Sequence, residues 1–411
     1  MKQNKNTNGN VPNLRFPEFS GEWEYMQVSK LLDFYTTNSL SWENLEYNTA
    51  GIYNLHYGLI HKGLPVIVDM SKVKLPIVKS ESIPNNYTIC NNGDIAFADA
   101  SEDTNDVAKA IEFTDCSNKT IICGLHTIHG RDNAKKTVVG YKGYAFASSK
   151  FHDQIRRIAQ GTKVYSISSK NFAECYVGIP NKEEQQKIAS LLTLIDERIS
   201  TQKKIIDSLE SLIKGLSHTL LTRNKEYPQV MLSELAHIIG GGTPDTNIAS
   251  YWGGKHQWFT PSEVGKTKYV NSSKRYISES GLDNSGAKLL PPNSVLLSSR
   301  ATIGECAINK IECATNQGFQ SLVAKANSSC EFLYYSIINL KPELLKRASG
   351  STFLEISAKE VGKILVPTPP ISTQIKIVNT LSNIDMRINI AKDTLSAYQT
   401  QKEYLLREMF I

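Results

Sequence analysis

Two stretches of the chain carry apolar residues at steps that alternate between four and three. The first stretch runs from Ile188 to Leu220, and the second, 189 residues later, runs from Ile377 to Met409. This spacing, kept for more than four heptads, predicts two amphipathic helices, each with a coiled-coil seam. The first seam comprises Ile188, Leu192, Ile195, Ile199, Gln202, Ile206, Leu209, Ile213, Leu216 and Leu220, and the second Ile377, Leu381, Ile384, Ile388, Ala391, Leu395, Tyr398, Lys402, Leu405 and Met409.

Proline residues mark where both helices begin. Pro180 stands just before the first stretch and Pro369-Pro370 just before the second, at positions where a helix can start but cannot extend backward. Asn181 followed by Glu184 has the spacing of a capping box. Each helix is expected to span about 40 residues, or roughly 60 Å.

A seam this narrow needs a partner helix. One alternative is a homodimeric coiled coil, and the other is that the two helices of one chain pair with each other. We favour pairing within the chain because the two seams match along their length. Gln202 is the polar exception in the first seam, and we expect it to set the register of the pair.

The repeat extends beyond the seams. Residues 161–168 recur as residues 350–357, and the offset of 189 residues then holds without a gap for about sixty positions. A period of this length is too long for a solenoid repeat of about 20 to 50 residues, so a whole module is used twice. The matching positions include Pro180 with Pro369, Gln185 with Gln374, and Ile195-Asp196-x-Arg198-Ile199 with Ile384-Asp385-x-Arg387-Ile388.

The segments in front of the helices predict mixed, β-rich modules. They resemble each other only in outline, as expected of two modules that share a fold but recognise different targets. Residues 240–245, Gly-Gly-Gly-Thr-Pro-Asp, predict a turn. The predicted strands are 94–98, 119–123, 294–298 and 321–323, and the predicted helices before the repeated glycine motif are 155–159 and 332–339.

Composition narrows the class of protein. The net charge of +6 and the pI near 8.7 permit nucleic-acid binding without demonstrating it. No run of 18 apolar residues predicts a membrane span, and the first residues lack the apolar stretch of a signal peptide. The seven cysteines are scattered without a CxxC pair, which favours neither a zinc site nor a disulfide framework, so we expect a reducing cytoplasm.

Motifs for chemistry are scarce. Gly265-Lys266-Thr267 ends like a phosphate-binding loop, but Thr260 stands where the first glycine belongs. His126 and His129 could lie on one strand face as metal ligands, although no third ligand is evident and we predict no metal site. These absences favour a binding protein without its own active site. A self-contained DNA-modifying enzyme and a coiled-coil interaction protein that does not bind DNA remain as alternatives.

The order module, long helix, module, long helix resembles the specificity subunits of type I restriction-modification systems, and the resemblance covers essentially the full chain. Several motifs carry it, each weak alone but specific in order and in duplicate. They are Pro12-x-x-Arg15-Phe16-Pro17-x-Phe19 with Trp23-Glu24, Gly241-Gly242-Thr243-Pro244, Ser299-Arg300-Ala301-Thr302-Ile303-Gly304 with Thr315-Asn316-Gln317-Gly318-Phe319, and the twofold helix entry beginning at Pro180.

The resemblance implies an α/β (α+β) fold with a pseudo-twofold internal repeat. Target recognition domains with small twisted sheets would occupy residues 1–180 and 224–370, and antiparallel coiled-coil spacer helices would occupy residues 181–223 and 371–411. Each domain would read one half of an asymmetric, bipartite sequence on double-stranded DNA, with half-site centres about one helical turn apart. Residues of the two seams would also bind partner subunits: Ile188, Leu192, Ile195, Ile199, Ile206, Ile377, Leu381, Ile384, Ile388 and Leu395.

The resemblance also implies the partners and their cofactors. Two modification subunits would carry S-adenosylmethionine and methylate adenine, while two motor-nuclease subunits would use ATP and Mg²⁺ to cleave unmethylated DNA. This chain would supply sequence choice without a cofactor or a catalytic residue of its own.

Candidate DNA contacts follow from the chemistry of base edges as well as from the resemblance. Arginine pairs with guanine, and asparagine or glutamine pairs with adenine. The first module departs from the family pattern because it lacks Gly-Gly-Thr-Pro, and it has residues 98–103 where the second module has its central motif. The candidates are Lys255, His256, Thr260, Arg300, Asn316 and Gln317 in the second module and His126, Thr127, His129, Arg131 and Lys135 in the first.

Overall fold

The computed structural model describes residues 9–48, 50–222, 226–350 and 354–411. Contacts divide the chain into two compact units. Unit one contains the described residues up to Lys203 together with Asp393–Ile411, and unit two contains Lys204–Lys392. The division therefore falls inside the two long helices, so each long helix contributes one part to each unit.

Unit one begins with short strands and ends on the first long helix. In chain order its elements are β1 Glu24–Gln27, α1 Val28–Leu31, β2 Asp33–Tyr35, β3 Leu45–Glu46, β4 Ile52–Leu55, α2 Tyr57–His61, β5 Ile67–Asp69, β6 Ile77–Val78, β7 Ile95–Ala98, β8 Ala100–Ser101, β9 Ala110–Thr114, β10 Thr120–Cys123, β11 Thr127–Arg131, α3 Tyr141–Phe146, α4 Ser149–Ile158, β12 Tyr165–Ser166, α5 Ser169–Ala173, β13 Tyr176–Ile179 and α6 Lys182–Thr222, with 3-10 turns at Trp42–Asn44 and Ser80–Ser82.

Two sheets form the body of unit one. A five-stranded sheet has the order β2-β11-β7-β9-β5 and is antiparallel except for the parallel pair β5 and β9. A four-stranded sheet has the order β10-β4-β6-β3, and β10 runs parallel to β4. The antiparallel pairs β1-β13 and β8-β12 complete the unit. Strands of this five-stranded sheet are apolar on both faces (β7 is buried at every position), which places them between two layers of core.

Unit two has the following elements in chain order: β14 Gln229–Met231, α7 Leu232–Leu235, β15 Ala236–Gly240, β16 Trp252–Phe259, β17 Tyr269–Val270, β18 Arg275–Ile277, α8 Glu279–Asp283, β19 Val295–Leu297, β20 Cys306–Asn309, β21 Cys313–Thr315, β22 Gln320–Ala324, α9 Cys330–Arg347, α10 Ala358–Gly362, β23 Leu365–Pro367 and α11 Ile371–Glu408, with 3-10 turns at Ala249–Tyr251 and Pro261–Glu263.

The sheets of unit two repeat the topology of unit one. The order β15-β22-β19-β20-β17 again contains one parallel pair, β17 with β20, at one edge. The order β18-β16-β21 matches β6-β4-β10, and β16 runs parallel to β21 as β4 does to β10. The pair β14-β23 matches β1-β13. The two modules thus share a fold, although their sequences agree only in outline.

The seams predicted from the heptads face the interior. Within unit one, Asp196 and Arg198 of α6 meet Lys402 (2.5 Å) and Tyr398 of α11, so the helices run antiparallel. Within unit two, Glu210 of α6 meets Lys392 of α11 at 2.6 Å. All twenty seam positions are buried or half-buried. The two helices of one chain pair with each other, as predicted, and the alternative of a seam shared between two copies is not supported.

The repeated residues anchor each long helix to its module. Gln185 donates to the carbonyl of Pro180 at 2.8 Å, and its counterpart Gln374 donates to the carbonyl of Pro369 at 3.0 Å. Both glutamines are buried. Each gives a partner to the carbonyl of the buried proline that stands before its helix. These contacts explain why glutamine recurs at the same place in both copies.

The repeated aspartates make a second pair of equivalent contacts. Asp196 accepts a hydrogen bond from the hydroxyl of Tyr144 at 2.9 Å in unit one, and Asp385 accepts one from the hydroxyl of Tyr335 in unit two. A hydrogen bond to a charged acceptor is worth about 1.5–3 kcal/mol. The Ile-Asp-x-Arg-Ile repeat thus fixes each helix to the module packed against it.

The capping box expected at the start of α6 forms only in part. The amide of Glu184 donates to Asn181 Oδ1 at 2.8 Å, as predicted. The carboxylate of Glu184, however, forms a bidentate pair with Arg15 at 2.7 Å for both hydrogen bonds. The prediction for the carboxylate was wrong. Its oxygens accept hydrogen bonds from Arg15 of the N-terminal motif, which is distant in sequence, and not from the backbone amide of Asn181.

Two further sequence predictions need correction. Gly240 ends β15, and residues 241–245 form no turn, since the turn comes at Thr246-Asn247. A Cβ on Gly241 would overlap the carbonyl oxygen of Asn316, so close approach of backbones explains the glycine. His126 and His129 do not share a strand face, because His126 precedes β11 in a left-handed conformation (φ 54°).

The helix bounds agree closely with the predicted ones. The first helix was predicted at residues 181–223, of which 223 lies outside the described residues, and α6 spans Lys182–Thr222. The second was predicted at residues 371–411, and α11 ends at Glu408. Met409 and Phe410 continue past it into the core of unit one. No helix in the described ranges has the length and apolar character that a membrane span requires.

Candidate functional site

In unit one, two loops meet at the ends of β7 and β10. The loop after β10 presents His126, and the residue after β7 is Asp99. His126 Nδ1 lies 3.0 Å from Asp99 Oδ1, and the amide of Asp99 donates to the carbonyl of His126 at 3.1 Å. The His126 side chain is 49% exposed. Burial raises the pKa of Asp99, and His126 only partly offsets this effect. The pair therefore offers both a donor and an acceptor at the surface.

These loops border an open groove of ≈ 550 Å³. Its wall is mostly polar, and amide, hydroxyl and imidazole groups can donate or accept hydrogen bonds. Sequence reasoning found only His126 and Thr127 among its members. The groove is lined by Thr37, Asn38, Ser39, Leu40, Ser82, Pro84, Asn86, Asp99, Leu125, His126 and Thr127.

A row of rings continues from the groove. Tyr57 packs against His126 at 5.2 Å between ring centroids, His56 against Tyr57 at 4.7 Å, and Trp42 against His56 at 4.4 Å. Burial lowers the pKa of His56, and the neighbouring His126 lowers it further. Trp42 is 41% exposed. The sequence showed no periodic signal for this row, because its members come from three separate segments.

Three residues of unit one that were predicted to contact DNA bind other groups of the module instead. Thr127 is buried and donates to the carbonyl of Gly124 at 2.5 Å. His129 is completely buried and lies 2.7 Å from Asp94 Oδ2. Arg131 forms a bidentate pair with Asp94 at 2.7 and 2.8 Å. Burial alone would raise the pKa of Asp94, but the hydrogen bonds from Arg131 and His129 outweigh it and lower that pKa.

The position of these three residues argues against direct contact with DNA. A side chain that the core encloses cannot reach a base edge unless the module opens, and an arginine already bound to a carboxylate has fewer donors left. Lys135 is different, because it is exposed in the loop after β11 with φ 53°. The structure thus leaves His126 and Lys135 as the accessible candidates of unit one.

In unit two, the equivalent pair of loops carries the central motif. The loop after β19 presents Arg300, and the loop after β21 presents Asn316 and Gln317. The amide of Ser299 donates to the carbonyl of Gly318 at 2.7 Å, which joins the loops. Arg300 is 43% exposed and pairs with Glu355 at 2.7 Å. Its neighbour Ala301 adopts φ 55°.

Three other candidates of unit two lie in or near the same two loops. Asn316 is half-buried, and its Oδ1 accepts from the amide of Gly318 at 2.9 Å. Gln317 is exposed and accepts a hydrogen bond from Thr243 of the Gly-Gly-Thr-Pro segment. Thr260 caps the turn that follows β16, with its hydroxyl 2.7 Å from Glu263. The structure therefore brings Arg300, Asn316, Gln317 and Thr260 together, with only Arg300 and Gln317 well exposed.

Lys255 and His256 lie apart from these loops, on β16. Both contact Glu279 of α8, at 2.7 Å for Lys255 Nζ and 3.1 Å for His256 Nε2. The hydrogen bonds from Lys255 and then from His256 lower the pKa of Glu279. Lys255 is 73% exposed, whereas the His256 side chain is 9% exposed.

Sequence reasoning missed a cation near these residues. The guanidinium of Arg275 lies 3.6 Å from the ring centroid of Trp252 and 5.3 Å from that of Trp258. The rings of Trp252 and Trp258 lie 5.1 Å apart because the pairing of β16 with β18 is irregular between Trp252 and His256. Their spacing of six residues gave no signal for this contact, since a regular strand would separate them by about 20 Å. Arg275 comes from the neighbouring strand β18, which the sequence did not predict.

The same two loops are thus exposed in both units. Asp99 and Arg300 follow the equivalent strands β7 and β19, and His126 and Gln317 precede the equivalent strands β11 and β22. The scaffold is the same while the side chains differ in charge and shape. This combination is expected of two recognition surfaces with different ligands.

The family model described as "Type I restriction modification DNA specificity domain" matches residues 124–211 and 224–397, which together exceed half of the chain. The chain belongs to this type I restriction-modification specificity family. The resemblance inferred from the motifs is therefore confirmed. Residues before 124 lie outside the match, in the module whose sequence departs from the family pattern.

Two curated relatives give the extent of the likeness. The "Type I restriction enzyme MjaIX specificity subunit" of Methanocaldococcus jannaschii is 34% identical over 165 residues, covering 39% of this chain and 38% of the relative. The "Type I restriction enzyme EcoR124I/EcoR124II specificity subunit" of Escherichia coli is 26% identical over 260 residues, covering 57% and 62%. The matched regions thus span less than two thirds of either relative.

A solved structure supports the fold over nearly the whole length. The type I restriction-modification S subunit from M. genitalium has a TM-score of 0.61 with 17% sequence identity, and the alignment covers 98% of this chain and 99% of that one. The α/β (α+β) fold with small sheets, paired long helices and two repeated domains is confirmed for this family member.

Proposed function

We propose that this chain is the DNA sequence-specificity subunit of a type I restriction-modification complex. It binds an asymmetric, bipartite sequence on double-stranded DNA, and each unit reads one half-site. The observation that carries this proposal is the pair of topologically equivalent loops, displayed once per unit with different side chains. Arg300 and Gln317 lie in these loops in unit two, and Asp99 and His126 lie in the same loops in unit one. The individual residues are offset by one position, since the bond from the Asp99 amide to the His126 carbonyl matches that from Ser299 to Gly318.

The side chains of unit two suit the edge of a guanine or of an adenine. Arginine can donate two hydrogen bonds to guanine, and glutamine can pair with adenine. Arg300 must leave Glu355 to do so. Both side chains are substantially exposed, at 43% and 35%, and an ion pair at the surface contributes little. Arg300 can therefore break its ion pair with Glu355 and bind a guanine at little cost in free energy.

The side chains of unit one suit a different base edge. An ionised Asp99 can accept from the amino group of cytosine, and His126 can either donate or accept. Lys135 carries an exposed positive charge that suits a phosphate. Thr127, His129 and Arg131 are assigned to the support of these loops, since their polar groups are engaged within the module.

We further propose that the chain acts with partners and has no bond-breaking chemistry of its own. Modification subunits would supply S-adenosylmethionine, and motor-nuclease subunits would supply ATP and Mg²⁺, all in the cytoplasm. Apolar side chains on the outer faces of the long helices support docking there, because exposed apolar groups mark interaction surfaces. They include Leu194, Ile205 and Leu212 of α6 and Met386 and Ile390 of α11, which are 42–60% exposed.

A methylation map tests the proposal. The chain would be expressed with its modification subunit in a host without adenine methylation, and methylated adenines would be sequenced genome-wide. A split, asymmetric motif with a fixed gap is the expected result. Exchange of residues 224–370 for those of a related subunit should change one half of that motif and leave the other intact. A short unsplit motif, or no methylation from an assembled complex, would refute the proposal.

The Arg300→Ala variant tests base readout in unit two. We expect it to relax the sequence preference at one position of one half-site and to weaken binding there by about 1–3 kcal/mol. Binding to oligonucleotides that carry each base at that position would measure both effects. Arg347→Ala is the matched control, because Arg347 pairs with Glu343 on α9 and should leave the preference unchanged. Equal weakening on every sequence would assign Arg300 to a phosphate instead.

A further inference from the structure

Unit one contains a buried cluster of metal-ligand side chains that sequence spacing did not reveal. Cys90, Cys123 and His129 each offer one ligand atom, and these three atoms lie within 4.8 Å of one another. The cysteines are 1% exposed and the histidine 0%. Within the described ranges, it is the one group of three such residues with this spacing.

The two sulfur atoms are spaced as a tetrahedral metal site requires. Cys90 Sγ and Cys123 Sγ lie 3.6 Å apart. Two thiolates at about 2.3 Å from a tetrahedral zinc ion would be separated by about 3.8 Å. An ion could therefore enter with only small shifts of the side chains. The residues come from different segments, since Cys90 precedes β7 and Cys123 ends β10.

The histidine contacts a carboxylate, as metal-bound histidines usually do. Its Nε2 lies 2.7 Å from Asp94 Oδ2, whereas its Nδ1 is buried and has no hydrogen-bond partner among the described residues. Arg131 and the amide of Asn91 hold the same carboxylate at 2.7–2.8 Å. A carboxylate on one ring nitrogen orients the imidazole and raises the basicity of the other nitrogen toward a metal ion.

We propose that Cys90, Cys123 and His129 Nδ1 bind a zinc ion. Two thiolates and an imidazole are the donor set that favours zinc over magnesium or calcium. On binding, each thiol releases its proton to solvent and each sulfur forms one bond to the metal, with no change of oxidation state. A groove of ≈ 410 Å³ borders Cys90, and a water molecule would occupy the fourth position of the tetrahedral ion.

The ion would restrict the motion of the residues that flank the loop presenting His126. Cys123 immediately precedes this loop, and His129 lies in β11, which immediately follows it. In unit two, the amide of Leu290 donates to the carbonyl of Cys313 as that of Cys90 does to Ile121, and Thr315 pairs with Phe259 as Cys123 pairs with Leu55. Leu290 and Thr315 therefore occupy the positions of Cys90 and Cys123. The site therefore belongs to unit one alone. Its effect on DNA rests on the proposed function, but the presence of the metal does not.

Metal analysis of the full chain tests the site directly. Protein from zinc-supplemented medium would be purified without chelator, and zinc would be measured by mass spectrometry. We expect one zinc ion per chain, and its loss in Cys90→Ser and Cys123→Ser. Cys175→Ser, which changes another buried cysteine of unit one, should keep the metal. Substoichiometric zinc in a folded chain, or equal zinc in all three variants, would overturn the proposal.

Two further measurements keep the test decisive if the serine variants do not fold. Cobalt substitution of the unmodified chain should give thiolate-to-cobalt charge transfer and the intense visible bands of a tetrahedral site, and weak octahedral bands would contradict the proposal. Asp94→Asn should weaken zinc affinity about 10–100-fold, measured by competition with a chromophoric chelator. Thiol titration that shows Cys90 and Cys123 joined in a disulfide would also overturn it. None of these readouts depends on DNA binding.

Discussion

Replacement of Lys142 by methionine is expected to lower the free energy of unfolding of unit one by about 3–5 kcal/mol. Lys142 Nζ lies 2.8 Å from Glu112 Oε1, and the two side chains are 3% and 0% exposed. The two charged groups attract each other, but their relative orientation does not suit a hydrogen bond. Oε1 has no hydrogen-bond partner among the described residues. Methionine keeps the apolar stem but leaves the carboxylate of Glu112 buried, with the amide of Gly143 at 2.8 Å as its one remaining partner among the described residues.

Urea unfolding monitored for the transition of unit one would measure this loss. The double variant Lys142→Met with Glu112→Leu should recover most of it, because a buried ion pair replaced by apolar groups is often neutral in stability. Lys72→Met serves as a control, since Lys72 is 81% exposed beside Asp69 and should leave the transition where it is. A Lys142→Met chain as stable as the original would show that the ion pair contributes nothing.

Truncation of the seam at Leu192 is expected to destabilise unit one by about 2–5 kcal/mol, as is usual for a buried leucine replaced by alanine. Leu192 is 0% exposed and belongs to a core that includes Leu405 of the antiparallel helix and Met409, which follows that helix. The loss comes from the removed side chain and from the cavity that remains. Leu381→Ala, at the equivalent position of the second copy, should destabilise unit two by a similar amount, because Leu381 is also 0% exposed.

The same helix offers a matched control. Leu194 lies two residues from Leu192 but is 57% exposed, so Leu194→Ala should leave the unfolding transition nearly unchanged. Thermal unfolding of the three variants would compare these positions directly. Similar losses for Leu192→Ala and Leu194→Ala would mean that the heptad seam does not define the buried face of α6. If Leu194 instead contributes to partner docking, its effect should emerge only on assembly of the complex.

Heptad spacing and the offset of 189 residues were enough to predict the long helices, their seams and the duplication. Heptad spacing reports which face of a helix is buried, since that face recurs every three or four residues whatever lies beyond it. The bounds of α6 and α11 and the inward placement of all twenty seam positions followed from this pattern. The repeat likewise singled out Gln185, Gln374, Asp196 and Asp385, although it gave no reason for them. The structure supplied that reason as hydrogen bonds from each helix to its own module.

The accessibility of the polar side chains, in contrast, depends on how the strands and loops pack, and the sequence did not predict it. His126 and His129 are three residues apart, yet a left-handed residue before β11 leaves one at the surface and the other fully buried. Arg131 looked like a base contact, but Asp94 engages its guanidinium. Cys90, Cys123 and His129 have no diagnostic spacing, and pairing between strands brings them together. Local patterns encode burial along one element, whereas sites of this kind depend on contacts between residues distant in the chain, which spacing does not encode.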